Sequence, residues 1–367
     1  MHSNQHAPPP IGVHVYERNG NGPPPSVSVI VAVYNRAQFL TETVKSALHQ
    51  SIRSLEVLIV NDGSTDHSGT IAQQLEKSDS RVRLINLQCN CGPSYARNIA
   101  LDAARGDFIA ILDADDLCMP DRFEKQASFL QQTGIDLCGS WFVEFGRGPA
   151  RQVRWPHAEA SLQAAMLFQS TICHPTVMAR RHVFEHHRYK PEMRLAEDYD
   201  FFSRVMTNFR LGNVPEALIR YRRHADQATM LHRAAMESAT REIRLAILAA
   251  RGIDASDDEK RLHNLIRAPT SIKSESDLAG IESWLTKLIR LHEDAEARRI
   301  IASQWIRACV RASPLGTTMW RKYRQSRLRQ LACTSAIEDI DMAVMAVSRL
   351  DYGSRAFEVL RRLGLSA

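Results

Sequence analysis

The sequence has no long apolar run. Hydrophobic stretches such as Val27–Val33 and Phe108–Leu112 fall far short of the ~20 residues that a bilayer-spanning helix needs. The opening MHSNQHAPPP carries neither the basic start nor the apolar stretch of a secretory signal. The expected location is therefore the cytoplasm, with peripheral contact at the inner face of a membrane as the further expectation. A cysteine framework is also missing. Cys89 and Cys91 are too close for an ordinary CxxC pair, and Cys118, Cys138, Cys173, Cys309 and Cys333 are scattered. An odd count of 7 without regular spacing fits free thiols in a reducing compartment better than disulfides. His174 follows Cys173, yet nothing nearby completes a zinc-ligand pattern. Zinc-finger and RNA-binding aromatic motifs are absent as well, so no specific nucleic acid partner is expected.

What is present is an ordinary globular composition, 44% hydrophobic over 367 residues, enough for one large domain or two of usual size. The formal charge of +6 suits an anionic partner without choosing among a nucleotide, a phospholipid surface and a nucleic acid. Residues 1–26, with Pro8–Pro10 and Pro23–Pro25, read as a flexible or partly extended leader. Gly20 and Gly22 precede the first strand, so they make no dinucleotide fingerprint. Four strands then alternate with four helices. The strands are Val27–Tyr34, Leu55–Val60, Arg81–Leu87 and Phe108–Leu112; the helices are Phe39–His49, Ser68–Lys77, Ser94–Ala104 and Asp121–Gln132. That alternation predicts a parallel, right-handed α/β sheet. A hairpin of Ile135–Phe145 with Gln152–Trp155, a helix over Ala160–Phe168 and a closing strand Ala217–Tyr221 are expected next. Mainly helical patterns run from about Leu231, broken near Gly252, Pro269–Thr270 and Pro314–Gly316. The expected division is a leader 1–26, an α/β domain 27–228 and a helical region 229–367.

The carboxylates fall where chemistry is expected. Ligands of an open parallel sheet collect outside the carboxyl ends of its strands. Asp62 follows EVLIV, and Asp113, Asp115 and Asp116 follow FIAIL. Asp62 either fixes an Asn-Asp-Gly turn or accepts hydrogen bonds from a nucleobase. Three acidic residues within DADD repel one another unless compensated, and a hard Mg²⁺ or Mn²⁺ ion with phosphate oxygens supplies compensation. A solvated acidic turn or a helix cap is the ordinary alternative. Ser94 is placed to cap the helix that carries Arg97 and Asn98; Arg97 reaches a phosphate, orients Asp113, or forms a plain helix–sheet salt bridge. Glu197 and Asp198 in AEDYDFFSRV either decorate a helix N-terminus or supply the base that takes a proton from an acceptor hydroxyl. Asp198 is the candidate, and Glu197 its neighbour or substitute.

Taken in order, VSVIVAVYNRAQFLTETVKSALHQ, VLIVNDGSTD, GPSYARNIALDAARGDFIAILDADD and AEDYDFFSRV resemble successive motifs of the family 2 glycosyltransferases, across roughly residues 26–225. The resemblance implies a GT-A, Rossmann-like nucleotide-diphospho-sugar transferase domain with a mainly helical C-terminal region. It implies inverting transfer from a nucleoside-diphosphate sugar to a glycan, lipid-linked or other hydroxyl acceptor, in cell-surface glycan or polysaccharide biosynthesis. By this resemblance Asp62 binds the base, Asp113 lies near the ribose or phosphates, Asp115 holds Mn²⁺ or Mg²⁺, and Asp198 is the catalytic base. Tyr34 and Arg36 border the nucleotide, and His224 in YRRHADQATM either approaches the donor phosphates or is an ordinary surface histidine after a strand. His174 in CHPTVMARR lies near the acceptor or is structural.

In the C-terminal region, TTMWRKYRQSRLRQL interleaves Trp320 and Tyr323 with basic residues. Ordinary helix packing with a solvated basic face is the first reading, and contact with anionic lipid the second. Two rival functions share the acidic set: a nucleotidyltransferase, which would release pyrophosphate, and a noncatalytic nucleotide-sugar-binding or scaffold protein.

Overall fold

A computed structural model describes residues 14–15, 26–193, 195–224 and 233–362. The remainder of the Pro-rich leader, Arg194 and the expected boundary near residue 228 lie outside the described residues. The chain divides into two compact units, Met1–Trp155 with Ile172–Leu231, and Pro156–Thr171 with His232–Ala367.

In the first unit β-branched runs form the centre of the sheet. Strands β2 (Val27–Val33), β3 (Leu55–Asp62), β4 (Val82–Leu87) and β5 (Phe108–Ile111) lie in the order β4-β3-β2-β5, all parallel. β3 is buried at all eight positions, as a strand covered on both faces must be. Helices α1 (Ala37–Leu48), α2 (Ser68–Ser78) and α3 (Pro93–Ala103) make the crossovers. α1 buries Leu40, Val44 and Leu48, the stripe read from its spacing. Burial of each such side chain contributes about 1.5–3 kcal/mol. Two residues of the leader, β1 (His14–Val15), pair antiparallel with β4.

Beyond β5 the sheet is mixed rather than parallel. Its order continues β5-β9-β7-β10-β6, with β6 Leu117–Cys118, β7 Leu137–Phe145, β9 Met178–Arg180 and β10 Leu211–Arg222. β9 runs antiparallel to both β5 and β7, whereas β7 and β10 are parallel. β8 (Arg151–Val153) closes the expected hairpin on β7. Helix α4 (Arg122–Thr133) precedes β7 and ends on Gly134, whose left-handed φ of 66° suits glycine at that position. Ser94 does not cap α3. Gly92 occupies the cap position and Pro93 the first turn, and the Ser94 hydroxyl donates to the Met193 carbonyl at 3.3 Å. The short α6 (Arg181–His186) and α7 (Glu197–Val205) complete this unit.

The second unit is helical: α5 (Glu159–Met166), α8 (Arg233–Ala250), α9 (Asp257–Leu265), α10 (Glu275–Arg290), α11 (Ala295–Arg311), α12 (Thr317–Gln325), α13 (Arg327–Leu331), α14 (Ala336–Ser348) and α15 (Arg355–Arg362). α5 therefore sits with the helices, although it falls inside the range 27–228. Trp284 and Trp305 lie in this core. Ser256 with Glu259, and Ser335 with Glu338, form capping boxes that satisfy the first turns of α9 and α14. Tyr323 is buried and donates to Asp339, Trp320 stacks on it, and Arg321, Arg324 and Arg327 are exposed. That is the ordinary packing read first for this stretch. Among the described residues, no helix is long and apolar enough to cross a membrane.

Candidate active site

The carboxyl ends of β2, β3 and β5 open onto a cleft of about 350 Å³. Tyr34, Arg36, Asp62, Arg97, Asp113, Asp115 and Glu197 line it, brought together from the β2–α1 loop, the end of β3, α3, the β5–β6 loop and the start of α7. Asn90, Pro93 and Tyr221 are also part of the wall. Sequence reasoning passed over these three, because a loop asparagine, a helix-starting proline and a strand tyrosine carry no charge pattern.

Asp62 serves the turn and the cleft at once. Its Oδ1 accepts the Cys91 backbone N–H at 2.7 Å and its Oδ2 that of Gly92 at 2.9 Å. Burial raises its carboxyl above the usual range, and the two amides only partly offset this. Gly63 follows at φ 64°, where an added Cβ would come within 2.4 Å of the Cys89 backbone. The β3 end and the loop before α3 therefore touch backbone to backbone. Opposite them, Asn35 takes a left-handed φ of 52°. Its Oδ1 accepts the Thr65 N–H at 2.9 Å, tying the β2–α1 loop to the β3–α2 loop. Tyr34 projects from this junction, 43% exposed.

Arg97 joins two acidic segments that are remote in sequence. Its Nη1 donates to Glu197 Oε1 at 2.8 Å and its Nη2 to Asp113 Oδ1 at 3.2 Å. Burial works against its charge, but Asp113 and Glu197 outweigh that and hold the guanidinium more firmly protonated than usual. Burial likewise opposes ionisation of Asp113, yet hydrogen bonding to His174 and the charge of Arg97 keep its carboxyl well below the ordinary range. His174 is buried, with Nδ1 3.6 Å from Asp113 and Nε2 3.0 Å from the Tyr189 hydroxyl. Asn98 faces away from the cleft and clamps the Tyr189 backbone through both amide atoms.

The DADD carboxylates are separated rather than pooled. Asp113 pairs with Arg97; Asp115 Oδ2 accepts from His224 Nε2 at 2.9 Å and Arg36 Nε at 3.3 Å. Asp116 is buried, accepts the Arg222 N–H at 2.7 Å through Oδ1, and leaves Oδ2 without a partner. Burial, then Asp115 and Asp113, push its carboxyl well above the normal range. Two of the three carboxylates are thus met by the chain's own cations, while the third, Asp116, is turned inward where burial and its acidic neighbours oppose its ionisation. Their mutual repulsion does not by itself call for a metal ion.

Glu197 and Asp198 open α7 after Ala196, a non-glycine residue at φ 59°. Such strain at a helix entrance costs about 1–2 kcal/mol and persists where the surroundings fix it. Glu197 lines the cleft; Asp198 is its neighbour, partly exposed, with Oδ1 accepting the Tyr199 N–H at 2.7 Å. Burial, then the Glu197 charge, raise the Asp198 carboxyl. A raised carboxyl pKa is what a proton acceptor near neutral pH needs.

Residues 28–188 match the model of "Glycosyl transferase family 2". A glycosyltransferase of Haemophilus influenzae, itself uncharacterized, is 33% identical over 221 residues, spanning 57% of this chain and 68% of its own. The chain belongs to glycosyl transferase family 2. As a member it transfers a sugar from a nucleoside-diphosphate sugar. TuaG of Bacillus subtilis, provisionally named for teichuronic acid biosynthesis, is 32% identical over 201 residues, 54% of this chain and 79% of its own. The crystal structure of S. aureus TarS covers 88% of this chain and 55% of that one at a TM-score of 0.53 and 20% identity, which establishes a shared fold. The GT-A-like architecture is accordingly that of the family, with a mixed sheet and a mainly helical C-terminal region.

Proposed function

We propose that this family 2 glycosyltransferase catalyses inverting, metal-assisted transfer of a sugar to an acceptor hydroxyl in cell-surface polysaccharide biosynthesis. The observation that carries the reading is the convergence of Asp62, Asp113, Asp115 and Glu197, from three chain segments, on one cleft. In this reading the nucleoside lies between Tyr34 and Asp62, and Asp113, held by Arg97, meets the ribose or phosphates. Asp198 takes the acceptor's proton as its oxygen bonds to the anomeric carbon and the nucleoside diphosphate departs from the opposite face, without a sugar–enzyme intermediate. Arg36 faces the departing phosphates. The biosynthetic setting draws support from the provisional name of TuaG.

The residues suit a hard divalent ion. Among the described residues no three His, Cys, Asp or Glu side chains gather as a closed metal cage. Asp115 and His224, 2.9 Å apart, nevertheless offer one carboxylate oxygen and one imidazole nitrogen, and Mg²⁺-type ions complete such partial sets with phosphate oxygens and water. Bound there, Mn²⁺ or Mg²⁺ would offset the charge growing on the leaving diphosphate. The exposed Arg321, Arg324 and Arg327 are the face proposed for contact with an anionic membrane surface.

The test is a binding screen of UDP-, GDP- and dTDP-sugars with Mn²⁺ or Mg²⁺, followed by mass spectrometry and anomeric NMR of products. Release of a nucleoside diphosphate with one inversion at the sugar is expected; pyrophosphate release, or binding without transfer to any acceptor, would reject the reading. Asp115→Asn should abolish the gain in donor affinity that Mn²⁺ confers in calorimetry, and an unchanged gain would remove Asp115 from the metal site.

A further inference from the structure

The loop between β4 and α3 carries two thiols on either side of Asn90, which lines the cleft. Cys89 is exposed and Cys91 partly so, and their sulfurs lie 3.7 Å apart. Contact between two thiols at this spacing is not an accident of packing in a core, since Cys118, Cys138 and Cys309 are the buried cysteines. The two ends of the pair are held differently. The Cys89 backbone is pressed against Gly63, where a Cβ would meet it at 2.4 Å. Cys91 is held by its amide, 2.7 Å from Asp62 Oδ1, and its thiol, partly exposed on the lip, donates to the Cys89 carbonyl at 3.5 Å.

We propose that Cys89 and Cys91 form a thiol-modification site at the lip of the cleft. It reacts with a low-molecular-weight disulfide and closes to an intramolecular disulfide that weakens nucleotide-sugar binding. The effect on binding rests on the donor reading given above; the bond formation does not. The exposed Cys89 thiolate attacks one sulfur of RSSR, giving the mixed disulfide Cys89–S–S–R and releasing RS⁻. The Cys91 thiolate then attacks the Cys89 sulfur, the S–R bond breaks, and a second RS⁻ leaves. Both thiol protons end on the two RSH products, so the pair is oxidised by two electrons and the small disulfide reduced by two. Burial and then the neighbouring Cys89 push the Cys91 thiol up to about 11, which assigns it the later, resolving role.

Because Cys89 is backed by Gly63, closure is taken up at Cys91. Its N–H then swings from Asp62, and Asn90 is re-aimed in the cleft wall. Loss of one amide bond to a carboxylate corresponds to about a tenfold weaker donor affinity.

The experiment uses the full chain, reduced and then incubated with oxidised glutathione. Peptide mass mapping is expected to find a Cys89–Cys91 bridge, and calorimetry with the nucleoside-diphosphate sugar an approximately tenfold rise in Kd, reversed by reductant. Cys89→Ser should bind donor equally before and after glutathione disulfide, while Cys333 in the same sample acquires only a glutathione adduct. A persistent adduct on Cys89 with no bridge overturns the site; a bridge that leaves the donor Kd unchanged overturns its effect. Should the reduced chain bind no nucleoside-diphosphate sugar, the donor reading and the predicted loss fail together, while the mass map still decides the bridge.

Discussion

At the scale of single residues, the site divides labour between groups that hold and a group that reacts. Asp198→Asn keeps the oxygen that accepts the Tyr199 N–H, so fold and donor affinity should survive while kcat falls about a hundredfold or more. Near-normal turnover by the folded variant would move the base elsewhere, with Glu197 the first substitute. Arg97 holds both Asp113 and Glu197, and removing it strands two carboxylates. Arg97→Met is expected to cost about 3–5 kcal/mol of stability and most of the donor affinity, with Arg97→Lys between it and wild type. Urea unfolding beside calorimetry reads both. The sequence showed which acids approach the cleft because strand ends are marked by patterning. Of their compensation it offered Arg97 on Asp113 and little else. The rest depends on groups from remote segments, such as the His174 ring on Asp113 and the Arg222 backbone N–H on Asp116, which no local spacing encodes.

At the scale of elements, legibility followed the length of the hydrophobic period. The strands through Phe108 and the helices between them announce themselves over several residues each, and the helical unit breaks near Gly252, Pro269–Thr270 and Pro314–Gly316 as read, whereas its breaks at residues 291–294, 326 and 332–335 hold neither Pro nor Gly. β6 and β9, two and three residues long, are too short for any period to register. They are also what turns a parallel sheet into a mixed one. Ser94 lies inside the first turn of α3 rather than at its cap, because Gly92 takes the cap position and Pro93 the first helical one. The junction of β3 with the α3 loop gives a prediction of its own. Gly63→Ala adds a methyl to a left-handed residue and drives it into the Cys89 backbone, so a loss of about 2 kcal/mol or more is expected. Donor affinity should drop alongside, because the same displacement disturbs the amides that Asp62 holds. Denaturant unfolding with the donor titration tests this; a stable variant with weakened binding would localise the role of Gly63 to the cleft.

At the scale of the whole molecule, acid sensitivity should concentrate in the helical unit. His263 is fully buried there, accepting from the Trp284 indole N–H at Nδ1 and donating Nε2–H to the Leu167 carbonyl, an arrangement for neutral imidazole. Burial pulls its pKa down to about 4, against 6.5 when unfolded. Between those values the unfolded chain binds the extra proton, so stability is intact above 6.5 and erodes by about 3 kcal/mol as pH falls to 4. His263→Gln should flatten that slope, measured by unfolding of the full chain at pH 7.5 and 5; an unchanged slope would assign the acid sensitivity to other groups. A different consequence follows from the place of β9. This three-residue strand fills the gap between β5 and β7, yet is encoded after both. During synthesis, then, the growing polypeptide carries two incomplete half-sheets with bare inner edges until Arg180 has emerged, and this interval is when a chaperone or a neighbouring nascent chain has most to pair with.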